Sequence, residues 1–351
     1  MTEEKNKRLS PLIKFLIAFA LIIIIALGIT GLNYYLRYMG KSVTDNEKYL
    51  YIKTGSTFDD VYATIREKDI VKDSIVFLWV AQNMDYPRAV KPGKYRLKDG
   101  MSNRVLINML KSGNQEEVSL SFRGYRLKED FAAYVGTQLE ADSASLLGLL
   151  DSAAFVSKYG FDKDNVYAMF IPNTYKMYWN VSADKFFKRM YSEYQKFWTP
   201  ERLKKAKEVG LTPTQVSTLA AIVDAEALHD QEMPTIAGLY LNRYRRGIKL
   251  QADPTVIYAN NDFTIRRVLN RHLIKQSPYN TYMYAGLPPG PIMMPSINAI
   301  DAVLNYQKHN FIYMCAKEDF SGYHNFAVTV AEHQANARRF QQALDAHNIK
   351  K

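Results

Sequence analysis

One cysteine, Cys315, stands in a chain of 351 residues. That scarcity excludes an intrachain disulfide framework and any paired-cysteine metal knuckle, so stability must come from packing. His229, His272, His309, His333 and His347 show no metal-ligand spacing, and neither a metal nor a cofactor is expected. There is no internal repeat, no low-complexity tract and no recognisable nucleic-acid module. Lys and Arg are spread along the chain, which argues against nucleic acid as a partner. Acidic residues are the minority charge, 35 against 46 basic, and the net charge of +11 favours a polyanionic partner or surface.

What the chain does have is apolar and aromatic mass. Hydrophobic residues make up 47% and aromatic ones 13%, enough for globular cores and too much for wholesale disorder. Tyrosine dominates the aromatics with 25 residues, each carrying an apolar face and a hydroxyl that suit sugars as well as ordinary half-buried positions.

Residues 15–36 carry no charge. At about 1.5 Å per residue such a helix crosses a hydrocarbon core of roughly 30 Å. Lys5, Lys7, Arg8 and Lys14 precede it, and Tyr34, Tyr35, Arg37 and Tyr38 mark its far end. The positive-inside rule makes 1–11 a cytoplasmic tail and 12–36 a single transmembrane helix, although Glu3, Glu4, Arg37 and Lys41 soften the contrast. A cleaved signal peptide is the competing reading, but no small-x-small cleavage site follows. Everything downstream is then expected outside the cytoplasm, on the outer or periplasmic face of the cytoplasmic membrane.

Residues 45–115 read as a small α+β module in the order strand, helix, helix, strand, helix. LYIK is the first strand. Ser56 or Thr57 caps a helix with Phe58, Val61, Tyr62 and Ile65 on one face. A helix around 74–82, a strand KYRL after Pro92-Gly93, and a helix bearing Val105, Leu106, Met109 and Leu110 follow, with Gly113 at its C′ position. The remainder, 116–351, reads as a larger α+β domain. Its Ser/Ala/Asp-rich stretch 141–160 is expected to be a helical surface excursion. Thr199-Pro200 and Thr212-Pro213 each open a helix, a capping Thr followed by Pro. FIYMC at 311–315 and YHNFAV at 323–328 read as strands, and a last helix starts near Ala331.

The helix opened by Thr212 carries an apolar stripe of Val216, Leu219, Ala220, Val223 and Ala227. At about 100° per residue, Glu226 lies within roughly 20° of Leu219 and 40° of Ile222, so it borders the buried stripe. Asp224 is turned about 160° away and cannot pair with it. A carboxyl group held against apolar neighbours keeps its proton to higher pH, which suits a general acid. Amphipathicity alone equally allows a Glu that caps or salt-bridges its helix end. Beyond it, IAGLYLNRYRRGIKLQADPTVIYA reads as a helix ending near Gly247, then a turn and an extended stretch. Asn242, Gln251 and Asp253 are its candidates for sugar hydroxyls or for holding a cleft. Arg243, Arg245, Arg246 and Lys249 either attract carboxylates or form a solvated face. In SPYNTYMYAGLPPGPI, four prolines stiffen a loop, and Tyr279, Asn280 and Thr281 offer a ring, an amide and a hydroxyl suited to an acetamidosugar.

These runs, IVDAEA with LQADPTVIY and YNTY with GLPPG, resemble the YceG-like family of endolytic murein transglycosylases. The resemblance extends from about Tyr49 to Leu344. It implies an N-terminal anchor, a LysM-like α+β module at 45–115 and a catalytic α+β domain at 116–351. It places the catalytic acid at Glu226, with Asn242, Gln251, Asp253, Tyr279, Asn280, Thr281 and His324 around the substrate. Ala227 stands where the family has Thr or Ser, which removes a hydroxyl able to orient the acid. One carboxylate suffices for such an enzyme because the substrate supplies the nucleophile: the C6 hydroxyl of N-acetylmuramic acid closes onto its own C1. The implied substrate is the nascent glycan strand, with peptidoglycan synthases as neighbours. Two rivals stay open, a muramidase that uses water and a non-catalytic wall-binding scaffold.

Overall fold

The computed structural model describes residues 10–347, so the expected cytoplasmic tail lies outside the described residues apart from Ser10 and Pro11. The chain divides into two compact units, one of 1–118 with 178–180 and the other of 119–177 with 181–351.

The first unit begins with helix α1 (Pro11–Met39), capped by Ser10 with Pro11 at its first turn. None of its side chains is buried, and it is long and apolar enough to cross a membrane. Strand β1 (Tyr49–Ile52) pairs antiparallel with β2 (Gly93–Arg96), setting Leu50 opposite Tyr95 and Ile52 opposite Gly93. Helices α2 (Phe58–Glu67), α3 (Ser74–Asn83) and α4 (Asn103–Ser112) complete the sequence order read above. Local chemistry explains the boundaries. Thr57 and Asp60 form a capping box at α2, Asp73 caps α3, Ser102 caps α4, and Gly113 closes α4 at φ +73°. Leu50, Ile52, Val61, Ile65, Phe77, Val80, Tyr95, Leu106 and Leu110 make its core.

The second unit holds two neighbouring cores. The first gathers strand β3 (Glu117–Phe122), helices α5 (Lys128–Gln138), α6 (Ser143–Asp151) and α7 (Ala153–Val156), strand β4 (Asn173–Tyr178) paired with β3, and helix α8 (Ala183–Phe197). Phe122, Phe131, Phe170, Phe186 and Phe187 interlock there at offset and edge-to-face angles. The stretch 141–160 is not the surface excursion its polar composition suggested. Leu146, Leu150, Phe155 and Val156 are buried in this core, their spacing giving α6 and α7 an apolar face.

The second core surrounds α10 (Pro213–Glu226), which follows α9 (Pro200–Val209). Every residue from Val216 to Val223 is buried, Ser217 and Thr218 included. The helix is therefore enclosed on all sides instead of amphipathic, as its small residues Ser217, Thr218, Ala220 and Ala221 permit. Helices α11 (Met233–Arg245), α12 (Asp253–Asn260) and α14 (Ile297–Leu304) pack around it, with the short α13 (Asn270–Leu273) before the proline-rich loop. Residues 253–260 correct the extended reading of DPTVIY: Pro254 is a first-turn proline, and the helix wins over the β-branched run. Strands β5 (Tyr313–Ala316) and β6 (His324–Ala327) form a hairpin backed by α15 (Val330–Ala346).

The GLPPG run has a steric reason for its last residue. A Cβ on Gly290 would fall on the backbone carbonyl of Asp164, with the Asn165 Cα also in contact range. Gly290→Ala is therefore expected to destabilise the fold by about 1–3 kcal/mol, the usual cost of overpacking. A thermal unfolding midpoint equal to wild type would refute this.

Candidate active site

The last residue of α10 is Glu226, the point where the buried helix reaches a cleft of about 300 Å³. Ala227, in extended conformation, ends the helix and directs the chain away. The Glu226 carboxyl is half-buried at the cleft wall, and Tyr240 of α11 donates its hydroxyl to Oε1 at 2.8 Å. The backbone N–H of Asp253 donates to it as well. Burial pushes the Glu226 pKa from 4.5 up to about 7; the nearby Asp253 charge adds to this, while the Tyr240 and Asp253 N–H hydrogen bonds oppose it. A hydroxyl at position 227 is not what orients the acid: Tyr240, fourteen residues on, does so.

Around Glu226 the cleft is lined by Tyr240, Arg243, Gln251, Asp253, Tyr282, Tyr313, His324 and His333, among others. Tyr282 donates its hydroxyl to Asp253 Oδ1 at 2.7 Å. Burial raises the Tyr282 pKa, and its hydrogen bond to Asp253 raises it further, so the phenol stays a donor. His324 is clamped by the buried Glu232, which accepts from its backbone N–H and from ring Nδ1, each at 2.8 Å. A carboxylate oxygen accepts, so Nδ1 carries the proton that points at Glu232. His333 joins the cleft from α15 against the Tyr313 ring; burial and the Arg243 charge lower its pKa, leaving it neutral.

Of the residues expected at the site, Glu226, Gln251, Asp253 and His324 meet at this cleft. Asn242 does not present its amide there: Nδ2 donates to the carbonyls of His309 and Phe311, tying α11 to the segment before β5. Asn280 is 0% exposed, with Nδ2 given to Leu273 and Lys275 carbonyls and Oδ1 accepting from Tyr282 N–H. Thr281 is 2% exposed and bonds Ala252 N–H and the Thr255 hydroxyl. Tyr279 lies on the Tyr258 ring, 4.7 Å between centroids. The YNT run therefore builds the loop that delivers the next residue, Tyr282.

Arg243 is no part of a solvated basic face. It is 5% exposed and donates to the carbonyls of Lys249 and Ile312 and to Gln251 Oε1. Those bonds hold Gln251 in the left-handed region, φ +55°. Asp224, facing away from the cleft, accepts from the N–H and hydroxyl of Ser296, the N-cap of α14. Sequence reasoning missed Tyr240, Tyr282, Glu232, Tyr313 and His333. Only Tyr240 left a local signal, sharing with Arg243 the i, i+3 face of α11.

The comparisons agree on one lineage. A family model described as the YceG-like family matches residues 50–339. An endolytic murein transglycosylase of Streptococcus pneumoniae serotype 2 (strain D39 / NCTC 7466) is 26% identical over 338 residues, covering 87% of this chain and 60% of its own length. The chain thus spans 60% of the length of the pneumococcal relatives it matches. An endolytic murein transglycosylase of Bacillus subtilis (strain 168) is 24% identical over 307 residues, covering 82% of this chain and 83% of its own. A YceG-like protein of Listeria monocytogenes shares the fold at a TM-score of 0.53 and 22% identity, over 82% of this chain and 98% of that one. With the family model matched across both units, the chain belongs to the YceG-like family.

Proposed function

We propose that this protein is an endolytic lytic transglycosylase that cuts nascent peptidoglycan between N-acetylmuramic acid and N-acetylglucosamine and leaves 1,6-anhydro ends. The observation that carries the reading is one half-buried carboxyl, Glu226, whose pKa of about 7 lets it serve as acid and then as base. Protonated Glu226 gives its proton to the glycosidic oxygen as the C1–O bond breaks. The resulting carboxylate takes the proton of the C6 hydroxyl as that oxygen bonds C1. The proton count closes and no water is consumed. Tyr240 fixes the acid's orientation, while Gln251, Asp253, Tyr282 and His324 are the cleft's contacts for sugar hydroxyls and acetamides.

Helix α1 is the single membrane anchor in this reading, with the N-terminus in the cytoplasm and the rest of the chain outside. Residues 45–115 are the LysM-like module, and glycan-polymerising synthases are the neighbours. Mass spectrometry of products from uncrosslinked glycan tests the reading: anhydro ends support it. Asp253 on the same cleft favours one alternative, hydrolysis with a second carboxylate. Reducing ends would establish that hydrolysis, and intact glycan would mean a binding protein.

The acid step also sets a pH profile. Glu226 is protonated below its pKa, so kcat/KM is expected to fall by about tenfold per pH unit above roughly pH 8. Tyr240→Phe removes a hydrogen bond that favours the carboxylate, so the pKa rises and the alkaline limb moves to higher pH. An unmoved limb would show that Tyr240 leaves the acid's ionisation alone.

A further inference from the structure

Helix α1 does not hang from the first unit by a linker. At its C-terminal end Asn103 Nδ2 donates to the carbonyl of Arg37 at 3.0 Å, and Asn103 Oδ1 accepts from the Ser42 hydroxyl at 2.6 Å. Lys41 and Val43 then bridge to Ser102 and Val71. The last turns of α1 also pack on α3. The Trp79 ring stands edge-on to Tyr34 and Tyr38, with centroids 5.5 and 5.8 Å away, and the Arg37 guanidinium lies 5.0 Å from its centre.

These contacts fix a depth. The uncharged run ends at Leu36, so Tyr34, Arg37 and Tyr38 fall at the boundary between hydrocarbon and headgroups, where aromatic rings and guanidinium groups are favoured. Trp79, packed against all three, sits at the same level. One turn earlier on the same face of α3, Ile75 is 74% exposed, in a helix apolar from Ile75 to Ala81. A notch of about 320 Å³ opens between α1 and Trp79, lined by Ile29, Thr30, Asn33, Tyr34 and Arg37. Apolar at one end and polar at the other, it has the profile of the lipid interface. An isoleucine this exposed is costly in water and favourable at that depth.

We propose that the first unit docks on the outer leaflet of the bilayer that α1 spans, with Ile75 and Trp79 of α3 inserted at the headgroup–acyl boundary. The proposal rests on the reading of α1 as a membrane span, and the experiment separates the two. The full chain, with Cys315→Ser, is reconstituted in nanodiscs of phosphatidylethanolamine and phosphatidylglycerol. Nitroxide labels are placed singly at Ile24→Cys, Ile75→Cys and Lys204→Cys, and their collisions with oxygen and with a water-soluble nickel chelate are compared. Positions 24 and 75 are expected to show an oxygen-to-nickel ratio several-fold above that of exposed position 204. A lipid-like ratio at 24 with a 204-like ratio at 75 overturns the docking and leaves the span. A 204-like ratio at 24 overturns both.

Discussion

Glu226→Gln is expected to lower glycan cleavage by about 10⁴-fold, the upper end of general acid–base effects, because both proton transfers fall on one side chain. The amide keeps the shape of the carboxyl and its ability to accept from Tyr240, so the cleft is retained. Stability separates lost chemistry from lost fold. The folded-state pKa of Glu226 is raised above its ordinary value, so the stability tied to its proton is present at low pH and lost as pH rises through about 7. Glutamine has nothing to lose there. The variant should melt no lower than wild type at pH 8, and its advantage should shrink toward pH 5. Residual cleavage within tenfold of wild type would end the assignment of Glu226 as the acid.

Arg243→Met is expected to be the most destabilising substitution near the cleft, by about 3 kcal/mol, because it leaves several buried acceptors without a donor. Two of these are main-chain carbonyls, Lys249 and Ile312, and the third is Gln251 Oε1. For a unit of this size, that corresponds to a fall in Tm of about 6–12 °C in detergent-solubilised protein. Gln251, released from its left-handed conformation, also ceases to define the cleft wall, so KM should rise even in the folded fraction. Arg243→Lys would recover part of the stability. Wild-type melting of Arg243→Met would mean that water replaces the guanidinium without cost.

What the sequence disclosed was mostly local. The Thr212-Pro213 start, the position of Glu226 at the end of that helix and the element order of the first unit rest on contacts a few residues apart. What it hid was pairwise and distant. Tyr282 reaches Asp253 across 29 positions and His324 reaches Glu232 across 92, so neither pair leaves a periodic trace. Polar residues within a diagnostic run misled for a related reason. Asn280 and Thr281 have the chemistry to bind a sugar, yet the segments that flank the stiff loop have backbone groups to satisfy, and these two satisfy them at Leu273, Lys275 and Ala252. Arg243 was similarly hidden, since its buried position depends on carbonyls that only the folded chain brings near.

The direction in which α10 runs has a chemical consequence of its own. Glu226 ends that helix at the pole where unpaired carbonyls gather, equivalent to about half a negative charge. A carboxylate is repelled there, so the α10 macrodipole acts in the same sense as burial and helps the acid keep its proton, against the opposing pull of the Asp253 N–H at the start of α12. Once ionised, the same repulsion makes the carboxylate a stronger base for the hydroxyl proton that follows. A helix of opposite polarity would stabilise the anion and weaken both steps.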